Sequence, residues 1–140
     1  MGLDDPTQKM SKSATGSGHA IALLDEPKVI QKKIARATTD SLPAVDPENM
    51  GPGVANLLTI AEACDPSFTK AQAAGLRYGD FKKKVAEIVI ARLEPIQERY
   101  RQVTSDPAYI DSVLAQGRER VLPLAQETVR RTKSAMGLYV

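Results

Sequence analysis

The sequence predicts an all-α chain, a helical bundle preceded by a flexible loop, and three observations predict it. Apolar residues recur in steps of three and four over two long segments, Phe81 to Val103 and Tyr109 to Met136. Asp-Pro and Gly-Pro pairs punctuate the chain where helices would stop and start. No sheet of any size can be found in the pattern.

The elements follow in order from three stretches, residues 1–19, 20–76 and 77–140. Lys9 to Gly18 holds three Ser, one Thr and two Gly, the composition of a surface loop whose backbone N–H groups are free to bind something. Ala20 to Leu24 is too short for a helix and reads as a brief extended piece. Asp25 can then N-cap a helix with Pro27 in its first turn, and Val29, Ile30, Lys33, Ile34 and Ala37 carry its apolar stripe to an end near Thr38-Thr39. Asp46-Pro47 and Gly51-Pro52-Gly53 mark a loop. Val54, Leu57, Leu58, Ile60, Ala61 and Cys64 make the next amphipathic helix, stopped by Asp65-Pro66, and a short helix follows within 67–75. Asp80 reads as the N-cap of the first long helix, with a kink expected at Pro95. Asp106-Pro107 opens the second, and Gly137 can end it as a left-handed cap. Two long helices joined by a short turn are expected to lie antiparallel and bury their stripes, which places Phe81, Tyr100 and Tyr109 in the core.

Composition narrows the function classes. No apolar run approaches the ~20 residues of a membrane-spanning helix. The first residues also lack a basic leader and an apolar stretch, so the expectation is a cytoplasmic protein without membrane contact. Cys64 is the only cysteine and His19 the only histidine, which rules out intramolecular disulfides and a Cys- or His-cluster metal site within these residues. The expected protein metal ligands are therefore none, and chemistry falls to lysine, serine, carboxylate or backbone. Residues 1–76 carry 7 Lys/Arg against 9 Asp/Glu, and residues 77–140 carry 12 against 8, so the cationic excess sits in the last segment. It points weakly to an anionic partner, since such charges are commonly a solvated helix face.

Chemistry concentrates at Lys9-Met10-Ser11-Lys12-Ser13. Two lysines three apart, with no acidic residue from Pro6 through Leu24, offer ammonium groups, hydroxyls and backbone donors that suit a polyphosphate. A bare K-x-x-K in a solvated linker would mean little, but this five-residue string should arise by chance in roughly one chain of this length in ten thousand.

The pentapeptide resembles the second signature of class I aminoacyl-tRNA synthetases. Its surroundings resemble the bacterial tryptophanyl-tRNA synthetases: Gly2-Leu3-Asp4-Asp5-Pro6-Thr7-Gln8, Ala37-Thr38-Thr39-Asp40-Ser41, Pro52-Gly53-Val54-Ala55-Asn56-Leu57-Leu58, Tyr78-Gly79-Asp80-Phe81-Lys82, Pro95-Ile96-Gln97-Glu98-Arg99-Tyr100 and Met136-Gly137-Leu138. The tyrosyl enzymes, which usually carry a variant signature and lack these blocks, are the nearest competitor. The resemblance implies a ligase that activates tryptophan with ATP, with Mg2+ expected, and charges tRNA(Trp) as a homodimer. It implies that Lys9 and Lys12 stabilise charge on the departing pyrophosphate, within an ATP/pyrophosphate-binding loop of Lys9, Met10, Ser11, Lys12 and Ser13, Met10 being either an anchor or a plain core plug. Residues 77–140 would be the long helices of the anticodon-binding bundle. Lys82, Lys83, Lys84, Arg99, Arg101, Arg118, Arg120, Arg130, Arg131 and Lys133 are then available for phosphates, and Tyr78, Tyr100, Tyr109 and Phe81 for stacking. His19 has no matching partner in the resemblance, and an ordinary polar contact is expected for it. Only eight residues precede the signature here, so the first signature, the amino-acid pocket and the parallel-sheet nucleotide fold are missing. The expectation is a C-terminal part that forms no adenylate alone. The alternative is a stand-alone helical tRNA-binding module without catalysis.

Overall fold

Among the described residues, three of the five helices begin on a proline, whose fixed φ suits the first helical turn and whose missing N–H would have been unbonded there in any case. The computed structural model describes residues 1–11 and 18–138. The helices are α1 (Pro27–Arg36), α2 (Pro52–Cys64), α3 (Lys70–Ala73), α4 (Tyr78–Thr104) and α5 (Pro107–Ala135). Among the described residues no strand forms. The one extended pairing is an isolated antiparallel bridge between Ala44 and Arg77. No helix of the described residues is long and apolar enough to cross a membrane.

Residues fall into two compact units, Met1–Gln97 and Glu98–Val140. In the first, α1 contributes Ile30 and Ile34, and α2 contributes Val54, Leu57, Leu58 and Ala61 at the i, i+3, i+4, i+7 spacing that lines one helix face. Phe81, Val85 and Val89 of α4 join them, and Phe81 stacks on Phe68 with ring centroids 6.5 Å apart and planes 23° from parallel. Each such side chain, fully buried, stabilises the fold by about 1.5–3 kcal/mol. Gly53 lets α2 start against the chain leaving α1, since a β-carbon there would lie 2.0 Å from the Thr38 carbonyl oxygen. Leu3, far from these helices in sequence, is buried in the same core.

Several expected helix ends shift. Asp25 does not cap α1: Glu26 holds the cap position, and the Asp25 carboxylate instead accepts from the Ala22 N–H at 2.9 Å and from Lys33 Nζ at 2.6 Å. Lys33 also donates to the Ala20 carbonyl at 2.8 Å, so a tertiary ion pair outcompeted the local cap. The segment expected to be extended closes instead in a turn, with the Asp25 N–H on the Ala22 carbonyl at 3.0 Å. α1 stops at Arg36, where the Lys82 ammonium accepts the role of a C-terminal cap by donating to the Ala37 carbonyl at 2.8 Å. Asp80 does not cap α4, which begins two residues earlier at Tyr78, and its carboxylate pairs with Arg77 Nε at 3.3 Å.

In the second unit, Asp106 caps α5 as predicted, accepting from the Tyr109 N–H at 3.0 Å. Gly137 ends it at φ +70°, with its N–H on the Ser134 carbonyl and the Leu138 N–H on Lys133, the paired bonds of a Schellman cap. The burial expected for the stripe of α5 is not realised. No residue of α5 is buried, and Tyr109, Val113, Leu114, Val121, Leu122 and Val129 remain exposed. The cause lies in how far the core reaches: the last buried residue of α4 is Leu93. Tyr100 and Tyr109, expected in the core, are accordingly 50% exposed each. Pro95 and Pro123 both lie inside helices that run through them.

Candidate functional site

Lys9 follows a short lead-in, residues 1–8, that the rest of the first unit grips closely. Leu3 anchors it in the core, and the Thr38 N–H donates to the Leu3 carbonyl at 2.7 Å. The Thr38 hydroxyl donates to the Asp4 carbonyl at 2.6 Å, and Asn56 of α2 donates to the carbonyls of Met1 and Gly2 at 3.1 Å each. Within the lead-in, Asp5 organises a tight turn. It accepts from the N–H and hydroxyl of Thr7 and from the side-chain amide of Gln8, and these bonds, the Thr7 hydroxyl first, hold its carboxyl below the ordinary range. Asp-Pro-Thr is therefore a turn with a mechanism, and it aims the chain at Lys9.

Both stems of the signature loop hydrogen-bond to one dipeptide. The Gly2 N–H donates to the Gln8 carbonyl at 2.8 Å and the Leu3 N–H to the His19 carbonyl at 2.9 Å. Against that bridge lies the His19 ring, 6% exposed, with Nδ1 2.6 Å from Asp4 Oδ1 and Nε2 3.1 Å from the Lys9 carbonyl. Those bonds, the Lys9 carbonyl first and Asp4 second, raise the His19 pKa above its ordinary value, and Asp4 is lowered chiefly by the same histidine. Gly2 must be small here, because a β-carbon on it would fall 2.3 Å from His19 Cε1.

Of the predicted site residues, Lys9 is exposed and its ammonium makes no hydrogen bond or ion pair among the described residues. Met10 is half-buried and packs against the core, so it plugs the body from which the loop leaves. Ser11 is exposed at the last described position before the loop. Lys12 and Ser13 lie outside the described residues. Sequence reading missed Asp4, His19 and Gly2 as a unit. The available signal was an acidic residue on one side of the loop and the chain's sole histidine on the other, which only loop closure brings together.

The predicted nucleic-acid contacts sort by geometry. Lys82 is spent on α1, and burial lowers its pKa. Arg130 grips Glu127 through two bonds of 2.9 and 2.8 Å. Tyr78 donates its hydroxyl to Asp40 Oδ1, and Phe81 is core, so neither is a stacking surface. Arg118, Arg120, Arg131 and Lys133 stay exposed along α5, the helix that carries Tyr109 in its first turn.

Known proteins resemble this chain in sequence and in fold. Relatives called tryptophan–tRNA ligase are 47% identical over 141 residues in Helicobacter pylori (strain J99) and 46% identical over 143 residues in Wolinella succinogenes. Each alignment covers 99% of this chain and 43% of the relative, so the chain spans less than half the length of the curated proteins it matches. A crystal structure of tryptophanyl-tRNA synthetase from Mycoplasma pneumoniae superposes with a TM-score of 0.80 at 30% identity, again over 99% of this chain and 43% of that one. The family model described as tRNA synthetases class I (W and Y) matches residues 1–94, the stretch that holds the gripped lead-in, the signature and the shared core, and the chain belongs to that family.

Proposed function

We propose that this chain supplies the signature loop and tRNA-facing helices of a tryptophan–tRNA ligase. The observation that carries the proposal is Lys9: an exposed ammonium at the mouth of a Ser/Gly loop whose two stems are hydrogen-bonded to Gly2 and Leu3. In the reaction, a carboxylate oxygen of tryptophan attacks the α-phosphorus of ATP, the bond to the bridging oxygen breaks, and pyrophosphate departs. The tRNA's terminal ribose hydroxyl then attacks the acyl carbon and AMP leaves. Lys9 and Lys12 act in the first step, as cations for the negative charge that accumulates on the leaving pyrophosphate. Ser11 and Ser13 add hydroxyl donors, and Met10 keeps the loop's first turn seated.

Among the described residues, no three His, Cys, Asp or Glu side chains converge as a protein cage for a metal would require. Independently of that, we assign the expected magnesium to the nucleotide phosphates, its usual station in such sites. Exposed Arg118, Arg120, Arg131 and Lys133, with Tyr109 half exposed, give α5 the cations and the ring that a tRNA partner would use. A homodimer and a cytoplasmic setting complete the reading. The described residues supply no first signature and no parallel-sheet nucleotide fold, so the 140-residue chain by itself should bind pyrophosphate without catalysing exchange.

Isothermal calorimetry with pyrophosphate, alongside ATP–pyrophosphate exchange, tests this. Binding lost in Lys9→Ala with Lys12→Ala, and no exchange by the chain alone, is the expected result. Equal pyrophosphate affinity in the double variant overturns the assignment of the lysines. Salt-dependent preference for tryptophan tRNA over other tRNAs supports the role of α5, and equal weak binding to every RNA removes it.

A further inference from the structure

His19 is a buried titratable side chain that the proposed chemistry does not use. Both of its ring nitrogens face groups that can only accept, the Asp4 carboxylate at 2.6 Å and the Lys9 carbonyl at 3.1 Å. A neutral imidazole donates from one nitrogen only, so it can satisfy one of these and must present a lone pair to the other. The imidazolium satisfies both. Asp4 is held ionised by the same bond, and Asp5, the second carboxylate acting on the ring, also favours its charged form. Among the described residues these two carboxylates are the charged groups that bear on His19. Thr38 and Asn56, the side chains that reach the lead-in from the helical body, are neutral.

We infer that His19, as an imidazolium shared between Asp4 and the Lys9 carbonyl, is a positioning residue that fixes where Lys9 leaves the folded body and so makes the loop's hold on anions depend on protonation. The inference rests on the reading of Lys9 as a pyrophosphate-binding cation. His19 sits on the exit stem through its own carbonyl, which accepts from Leu3, and on the departing stem through its ring, which holds Lys9. Losing the second ring proton turns the Nδ1 or Nε2 contact from a hydrogen bond into a meeting of lone pairs. Because the folded state raises the His19 pKa, the clamp is fully present below the ordinary histidine value of 6.5 and is lost as pH rises through the higher folded value.

The sole histidine makes the test unambiguous. Imidazole 15N spectra of the 140-residue chain, amide-exchange protection at Gly2 and Leu3, and pyrophosphate affinity are followed from about pH 5.5 to about pH 9. The expected result is two protonated ring nitrogens in the lower range, then a fall in protection and affinity together at the His19 midpoint, each by about tenfold, the value of one charged hydrogen bond. Asp4→Asn moves that midpoint down, and His19→Gln, which keeps one donor, flattens the pH profile while circular dichroism stays that of the folded chain. If His19→Gln does not fold, Asp4→Asn alone decides, since it leaves the ring in place. A neutral His19 throughout, or a midpoint that Asp4→Asn does not move, overturns the clamp. Protection that follows the His19 midpoint in a chain that binds no pyrophosphate leaves the clamp standing and removes the reading of Lys9 instead.

Discussion

Single side chains in the first unit do work that their positions in sequence do not announce. Asp40 accepts from the Tyr78 hydroxyl, from the Gly51 N–H at 2.9 Å and from the Leu42 N–H at 3.1 Å, tying the loop after α1 to the starts of α2 and α4. The Tyr78 hydroxyl foremost holds the Asp40 carboxyl below its ordinary 3.8, while burial first and Asp40 second push the Tyr78 phenol up to about 12. The stabilisation from Asp40 is therefore present above pH 3.8 and lost as acid carries the pH down through the lower folded value. Tyr78→Phe should raise the Asp40 midpoint, read by carboxyl 13C NMR, and shift the acid-unfolding transition to higher pH. Phe81 acts by packing alone. Fully buried and stacked on Phe68, it should cost about 3–5 kcal/mol on change to alanine, measured by urea titration.

Helices here owe their stability to different sources. α2 is held by its buried face, with no acidic residue in its first turn, no basic residue in its last and no side-chain cap. α5 has no buried residue, so its ends matter more. Asp106→Ala removes the bond to Tyr109 and should cost about 1 kcal/mol, seen as faster amide exchange over the first turn of α5 with no change in α2. The sequence made that cap legible because Asp, Pro and the helical period stand side by side. It made the caps of α1 and α4 illegible, because Asp25 and Asp80 each had a cation within reach that the local pattern could not weigh against a backbone N–H.

At the scale of the whole molecule, two units with unequal cores should not unfold together. Among the described residues the first holds every buried apolar side chain, from Leu3 to Leu93, and the second holds none. Amide exchange followed by mass spectrometry should therefore show α5 exchanging orders of magnitude faster than α2 and the Phe81–Leu93 stretch of α4, in proportion to local burial. Comparable protection in both would mean that the stripe of α5 is covered in solution.

By itself, the sequence determined the all-α class, the position of every helix to within a few residues, and the signature string that led to the family. These are local properties: periodicity, proline at first turns, glycine at a left-handed end, and five consecutive side chains. Tertiary structure alone decided which polar groups far apart in sequence meet. Asp4 and His19 stand 15 residues apart and touch only because the loop between them closes, which also gave the lone histidine a place beside Lys9. It alone decided, too, which apolar stripe is core. The stripes of α2 and α5 read alike by period, and only the reach of the packed body, ending at Leu93, separates a buried face from an exposed one.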